Sequence, residues 1–209
     1  MFLFDGPETA DLTLLLAHGA GAAMDSSAMT AATATLSSAG IRVVRFEFGY
    51  MAARRISGTR KPPPKAELLM NEYRAAIREI AAPSKLVIGG KSMGGRVASM
   101  IADEEHAAGR IAGLVCLGYP FHPPGRPESL RTAHLEHLAT PALICQGTRD
   151  IFGSREEVAA YTLSPRIDFL WLEDGDHDLR PRKAASGFSA ADHMKTMADA
   201  VRAWAIRLG

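Results

Sequence analysis

Lys85-Leu-Val-Ile-Gly-Gly-Lys-Ser-Met-Gly-Gly-Arg-Val-Ala98 joins an apolar run to a helical spacing across two pairs of glycines. It contains Gly90-x-Ser92-x-Gly94, a pattern that carries little weight without its surroundings. Here the surroundings support it. An apolar run, Leu86–Gly89, leads in, and a helical spacing of Val97, Ala98, Met100 and Ile101 leads out. A serine on so tight a strand-to-helix turn is held in strained backbone geometry, and its neighbours two before and two after must be small. Gly90 and Gly94 meet that demand, and Gly95 lets the helix approach the sheet. The helix N-terminus also offers N–H dipoles to a developing oxyanion. The run Gly90-Lys91-Ser92 also looks like the end of a phosphate-binding loop. That motif needs a glycine where Lys85 stands, and it needs a loop where Leu86–Gly89 reads as strand.

Other short, continuous apolar runs occur at Leu12–Ala17, Ile41–Phe46, Gly113–Leu117, Ala142–Cys145 and Ile167–Leu172. Continuity rather than alternation predicts strands buried on both faces of a parallel sheet. Helical spacings lie between them. Met194, Met197, Ala198, Val201, Trp204, Ala205 and Leu208 share one face, as do Met29, Ala32, Thr33 and Leu36 within Ser26–Ala39. The second of these helices has Asp25 or Ser26 as N-cap and Gly40 as terminator. Alternating strands and helices predict an α/β three-layer sandwich with helices on both faces. Two proline-bearing segments, Gly49–Lys65 and Tyr119–Thr140, read as ordered loops over the carboxyl edge of the sheet, where open α/β folds place ligands.

A serine hydroxyl is a weak nucleophile without a base. On a turn of this kind its partners follow in the order Ser, Asp or Glu, His, on loops after later strands. Asp150 follows the strand ending near Cys145, and His177 follows the strand ending near Leu172. Both arrive in that order from consecutive strands. Asp174, Asp176 and Asp178 crowd His177 in sequence, but near neighbours on one loop rarely bring a carboxylate square onto the ring nitrogen. Asp150 is therefore the expected acid. The turn Ala17-His18-Gly19-Ala20 after the first long strand supplies a second backbone N–H, so Ala20 and Met93 are the expected oxyanion donors.

The other histidines read differently. His106, His134, His137 and His193 fall on predicted helices in solvated or packing roles, and His134 with His137 lacks a third metal ligand. His18 reads first as a loop organiser. With His122, it is also a candidate substrate contact.

The chain has 209 residues, 47% hydrophobic and 22% charged, which excludes disordered and collagen-like classes and predicts one domain over residues 1–209. Lys and Arg total 24 against 23 Asp and Glu. So even a balance predicts neither a nucleic-acid nor a membrane partner. Cys116 and Cys145 sit inside apolar runs with no C-x-x-C spacing and read as buried small hydrophobes. The N-terminus lacks a basic, long-apolar leader, and no run approaches the ~20 apolar residues of a membrane span, so a cytoplasmic setting is expected.

Together, the strand-His-Gly-Ala-Gly-Ala loop, the Gly-Lys-Ser-Met-Gly-Gly turn, Gly147-Thr-Arg-Asp150 and Gly175-Asp-His-Asp178 resemble an α/β-hydrolase fold protein. More narrowly, the chain resembles a small bacterial hydrolase-like group related to testis-expressed and NSL histone-acetyltransferase complex subunits. Val44-Arg-Phe-Glu-Phe48 and Pro62–Pro64 carry that narrower likeness. The resemblance implies Ser92, Asp150 and His177 as a triad. The expected architecture is a six-stranded parallel core in order 2-1-3-4-5-6, with room for one edge strand and no cap domain. The expected activity is a serine hydrolase acting on an ester, thioester or similar acyl bond of a small molecule, with no cofactor and no metal. An interaction module on the same fold and an acyltransferase using the same site are the alternatives.

A last expectation concerns charge. Arg54, Arg55, Arg60, Lys61 and Lys65 lie in Gly49–Ala66 with no acidic residue among them. If this patch borders the cleft, anionic acyl substrates gain from it, with Arg54 and Arg55 as the candidate contacts.

Overall fold

The computed structural model describes residues 1–59, 62–80, 82 and 84–208. Seven strands form one sheet: β1 (Phe2–Asp5), β2 (Leu12–Ala17), β3 (Arg42–Phe46), β4 (Lys85–Lys91), β5 (Gly113–Leu117), β6 (Ala142–Gly147) and β7 (Ile167–Leu172). Their order is β1-β3-β2-β4-β5-β6-β7. All neighbours are parallel except β1, which pairs antiparallel with β3 from Phe2↔Phe46 to Asp5↔Val43. The parallel strands therefore have the expected order, with the edge strand added.

The helices are α1 (Ser27–Ser38), α2 (Gly49–Ser57), α3 (Met70–Ile80), α4 (Met93–Ala107), two single turns α5 (Arg155–Val158) and α6 (Lys183–Ser186), and α7 (Ala190–Ile206). Strand periodicity sorts the core into two layers. Leu14 and Leu16 point to the face covered by α1 and α7, where Met29, Leu36, Met197, Val201 and Trp204 pack. Leu15 and Ala17 point to the opposite face, under Tyr73 and Ile77 of α3 and Val97 and Ile101 of α4. Each fully buried leucine contributes about 1.5–3 kcal/mol. Ser26 is the N-cap of α1, its hydroxyl accepting from the Met29 N–H, and a reciprocal Ser189–Asp192 box starts α7.

The register also separates the cysteines. Cys116 pairs across from Ile144, and Cys145 from Leu117, so the two thiols face opposite layers and stay free. Burial pushes the Cys145 thiol up to about 12.

Two local expectations change. Gly49–Lys65 is not all loop, because α2 occupies its first half. Gly58 ends α2 in the left-handed conformation (φ 68°), and Arg54 and Arg55 in its last turn suit the negative end of the helix dipole. Arg60 and Lys61 lie outside the described residues. His134 sits in a single 3₁₀ turn (Ala133–Leu135) and His137 in the turn after it, rather than on a regular helix. That turn is the one helical element between β5 and β6 among the described residues, so no cap domain is inserted there.

Candidate active site

The chemistry gathers where β2, β4, β6 and β7 end. β2 and β4 run level to Ala17↔Gly90, which sets the His18–Gly21 loop beside the turn that follows Lys91. Ser92 occupies that turn at φ 51°, ψ −117°, a conformation that costs on the order of 1–3 kcal/mol for a residue with a side chain. The surroundings hold it there. The Ser92 N–H donates to the Leu117 carbonyl at 3.1 Å, and its carbonyl accepts from the Arg96 N–H at 3.0 Å as α4 begins. A Cβ on Gly94 would stand 2.5 Å from the Ala17 oxygen, and one on Gly90 2.6 Å from the same atom. Neither position has room for a side chain.

The structure brings Ser92, His177 and Asp150 together. The Ser92 Oγ lies 2.8 Å from His177 Nε2, and His177 Nδ1 lies 2.8 Å from Asp150 Oδ2. Asp150 is buried, and its carboxylate also accepts from Gln146 Nε2 and from the Phe152 N–H, each at 2.9 Å. The acidic neighbours of His177 are engaged elsewhere. Asp174 holds Arg182 and Arg149, and these contacts keep its carboxyl low, at about 2. Asp176 accepts the N–H groups of Asp178 and Arg180, and Asp178 faces Lys91 at 3.3 Å.

Three supporting groups were not legible as such. Phe152 lays its ring 4.1 Å from the imidazole, centroid to centroid. Gln146 anchors the acid. Lys91 sends its largely buried ammonium to the His177 carbonyl at 2.5 Å, which ties the strand that carries the serine to the loop that carries the histidine. Burial lowers the pKa of this lysine. Its position immediately before Ser92 was the only available signal.

A cleft of about 460 Å³ opens over Ser92, with Ala20, Met93 and Phe152 in its walls. Among the described residues, neither the Ala20 nor the Met93 N–H donates to a protein acceptor. The Tyr50 hydroxyl donates to the Ala20 carbonyl at 3.0 Å, and burial pushes that phenol up to about 12, so it stays a donor.

The remaining candidates lie elsewhere. His18 is wholly buried; its Nδ1 bonds the Gly19 carbonyl at 2.7 Å and its Nε2 accepts the Phe48 N–H at 3.1 Å. Burial lowers its pKa, which suits a neutral ring bracing the loop. His122 is buried and donates its backbone N–H to the Phe152 carbonyl at 3.2 Å, with Nδ1 on the Pro123 carbonyl and Nε2 3.5 Å from Glu157. Arg55 is spent on Glu47 (2.6 Å) and on a bidentate contact with Asp25, while Arg54 reaches the Gly21 carbonyl. None of these four lines the Ser92 cleft. The cations that do are Lys65, Arg96 and Arg131. Arg96, four residues after the serine, could have been placed one helical turn above it from spacing alone.

A larger groove of about 1150 Å³ lies at the opposite edge of the sheet, between His106, Arg110, Arg166 and Trp204, far from the paired serine. Among the described residues no three His, Cys, Asp or Glu side chains are grouped to hold a metal ion, and no helix is long and apolar enough to cross a membrane.

A doubly wound sheet with a strained serine between its fourth strand and the following helix, and with acid and histidine at later strand ends, defines the α/β-hydrolase class. The chain belongs to the alpha/beta hydrolase domain family, which it matches over residues 10–206. Among solved structures it is similar to the esterase domain of a Rhodothermus marinus protein (TM-score 0.68, 19% identity, covering 99% of this chain and 92% of that one). It is also similar to dienelactone hydrolase from Anabaena variabilis (TM-score 0.70, 18% identity, 99% and 91% covered). A third is XC6422 from Xanthomonas campestris, an α/β serine hydrolase without a lid (TM-score 0.65, 18% identity, 99% and 88% covered). At these identities the likeness is one of fold.

Proposed function

We propose that this protein is a serine hydrolase that cleaves an ester, thioester or similar acyl bond of a small molecule through an acyl-enzyme. The observation that carries the reading is the continuous chain Ser92 Oγ–His177–Asp150, each link 2.8 Å, opening on a cleft with two unengaged backbone N–H groups.

His177 Nε2 takes the proton of the Ser92 hydroxyl as Oγ bonds the substrate carbonyl carbon. Negative charge moves to the carbonyl oxygen, where the Ala20 and Met93 N–H groups receive it; one such donor is worth about 100- to 1,000-fold in rate. Asp150 orients the imidazole and supports its positive charge. The tetrahedral adduct collapses, and His177 gives its proton to the departing alkoxide or thiolate. Water then enters and loses a proton to His177 as its oxygen bonds the acyl carbon; the second adduct collapses, the C–Oγ bond breaks, His177 returns the proton to Ser92 Oγ, and the acid departs. The narrower kinship to the hydrolase-like group of testis-expressed and NSL-complex relatives, and a cytoplasmic setting in which both thiols stay reduced, belong to the same proposal.

Labelling by a fluorophosphonate probe tests nucleophile activation before a substrate is known. We expect Ser92 to be modified at neutral pH and Ser92→Ala to abolish modification with the fold intact by circular dichroism. A wild-type protein left unlabelled beside a reacting esterase control would favour the interaction-module reading instead.

A further inference from the structure

Of the basic residues expected near the cleft, Lys65 lines it and Arg54 and Arg55 do not; Arg96 and Arg131 supply the rest of its positive charge. Arg54 and Arg55 are turned to a backbone carbonyl and to two carboxylates. The charged groups that line the Ser92 cleft are Lys65, Arg96, Arg131 and Glu67. Glu67 pairs with Arg96 at 2.9 Å. Among the described residues, Lys65 and Arg131 have no carboxylate within ion-pair reach, so the cleft carries an excess of positive charge in a protein whose formal net charge is only +1.

Arg131 is also held in place. Its N–H donates to the Phe121 carbonyl at 2.7 Å, and its carbonyl accepts from the hydroxyl of buried Tyr119 at 3.0 Å. The base of the side chain is thus fixed on the cleft wall, and the residue as a whole is half-buried. Burial and the neighbouring charge of Arg96 both lower its pKa from the ordinary arginine range. Arg96 adds a buried Nε that finds no acceptor. Arg131 and Arg96 line the same cleft, and with Glu67 given to Arg96 the guanidinium of Arg131 is left to attract an anion that enters it.

Resting on the hydrolase reading above, we infer that Arg131, assisted by Arg96 and Lys65, forms a carboxylate subsite that selects acyl compounds carrying a carboxylate away from the scissile bond. The planar guanidinium fork matches a carboxylate through two parallel hydrogen bonds, which a lysine alone could not do. Lys65, exposed at the rim, adds long-range attraction.

The test uses two matched ester pairs at low ionic strength. In the first, the p-nitrophenyl monoester of glutaric acid is compared with its neutral amide isostere, so the carboxylate is on the acyl side. In the second, the butyrate esters of 3-(4-hydroxyphenyl)propionic acid and of its methylamide place it on the leaving side. We expect kcat/KM to favour the carboxylate by about 10- to 100-fold in one pair, which identifies the side, and to drift toward parity as salt is raised. Arg131→Gln should reduce that ratio by about 10-fold, and Arg131→Glu should bring it to parity or below. Should these variants fail to fold, the wild-type ratio and its salt response carry the test. Ratios within about twofold in both pairs, from enzyme whose Ser92 takes the probe, overturn the subsite and leave the hydrolase reading standing. A carboxylate preference indifferent to salt and to Arg131 overturns the assignment to this residue. An unlabelled Ser92 with no turnover of any ester overturns the hydrolase reading and the subsite with it.

Discussion

Ser92 and Ser99 stand at the start and in the body of the same helix, and each has its hydroxyl 2.8 Å from the Nε2 of a histidine. Measured by that distance, the two pairs are equal. Their surroundings are not. Ser92 sits on a strained turn at the floor of a cleft, and Asp150 backs its histidine. Ser99 is 2% exposed, inside α4, and its hydroxyl donates to the Arg96 carbonyl at 2.7 Å. A hydroxyl has one proton to give, so the His134 Nε2–H must be the donor in the second pair, the wrong tautomer for a base. Among the described residues no carboxylate bonds His134, and burial together with the charge of Arg96 pushes its imidazole down to about 4. A serine–histidine hydrogen bond is therefore common polar packing. On the proposed reading, what separates the first pair is its half-buried elbow, its backing carboxylate and the two unengaged N–H groups beside it.

The largest expected effect breaks the pairs apart. Ser92→Ala should lower kcat/KM for an activated ester by about 10⁴-fold or more, to the level that binding and the oxyanion donors supply without a nucleophile. Ser99→Ala should leave turnover within about threefold and cost about 1 kcal/mol of stability in urea melts, as for a buried hydroxyl hydrogen bond. Equal losses in the two variants would mean that the surroundings argument is wrong.

A second variant makes one pair resemble the other. Asp150→Asn keeps the shape of the acid but removes the charge that supports the imidazolium, leaving Ser92 with an unbacked histidine like that of Ser99. Turnover should fall by about 10²- to 10⁴-fold, with probe labelling slowed in parallel. A loss below about fivefold would show that another group supports His177, and Asp178, which shares its loop, would be the next residue to change.

How much of this could be read from sequence follows the range of the contacts involved. The strands, the order of the parallel core and the small residues around Ser92 depend on local pattern, and the turn at Gly90–Gly94 allows nothing larger than hydrogen at two positions. Asp150 and His177 were nameable as candidates because each falls at the end of a readable strand. The charged residues were not so accessible. Arg55 looked free until the fold brought Glu47 and Asp25 to it from the ends of β3 and the α1 entry. Arg131 lies in the long irregular segment between β5 and β6, whose path is set by contacts such as Tyr119 to the Arg131 carbonyl rather than by any period. The helix α2 was hidden by reading Gly49 and the later prolines as one loop, although Gly58 separates them.

The two histidines should also differ in how they couple stability to pH. His134 in the folded protein binds its proton only near pH 4, whereas in the unfolded chain it does so near 6.5. Between those values the unfolded state binds more protons, so the stability due to the neutral buried ring is complete above about pH 6.5 and is lost as pH falls toward 4. The ring is partly exposed, and solvent screening reduces the effect to about 1–2 kcal/mol. Carboxylates titrate in the same window, so the measurement is a difference. Urea unfolding of wild-type protein and of His134→Gln at several pH values from 7 to 4.5 should show the wild-type advantage shrinking as pH falls, because only the wild type must protonate the ring to keep pace with its unfolded state. Parallel curves would mean that His134 keeps an ordinary affinity for protons, and the contrast between the two histidines would then rest on the missing carboxylate and the tautomer alone.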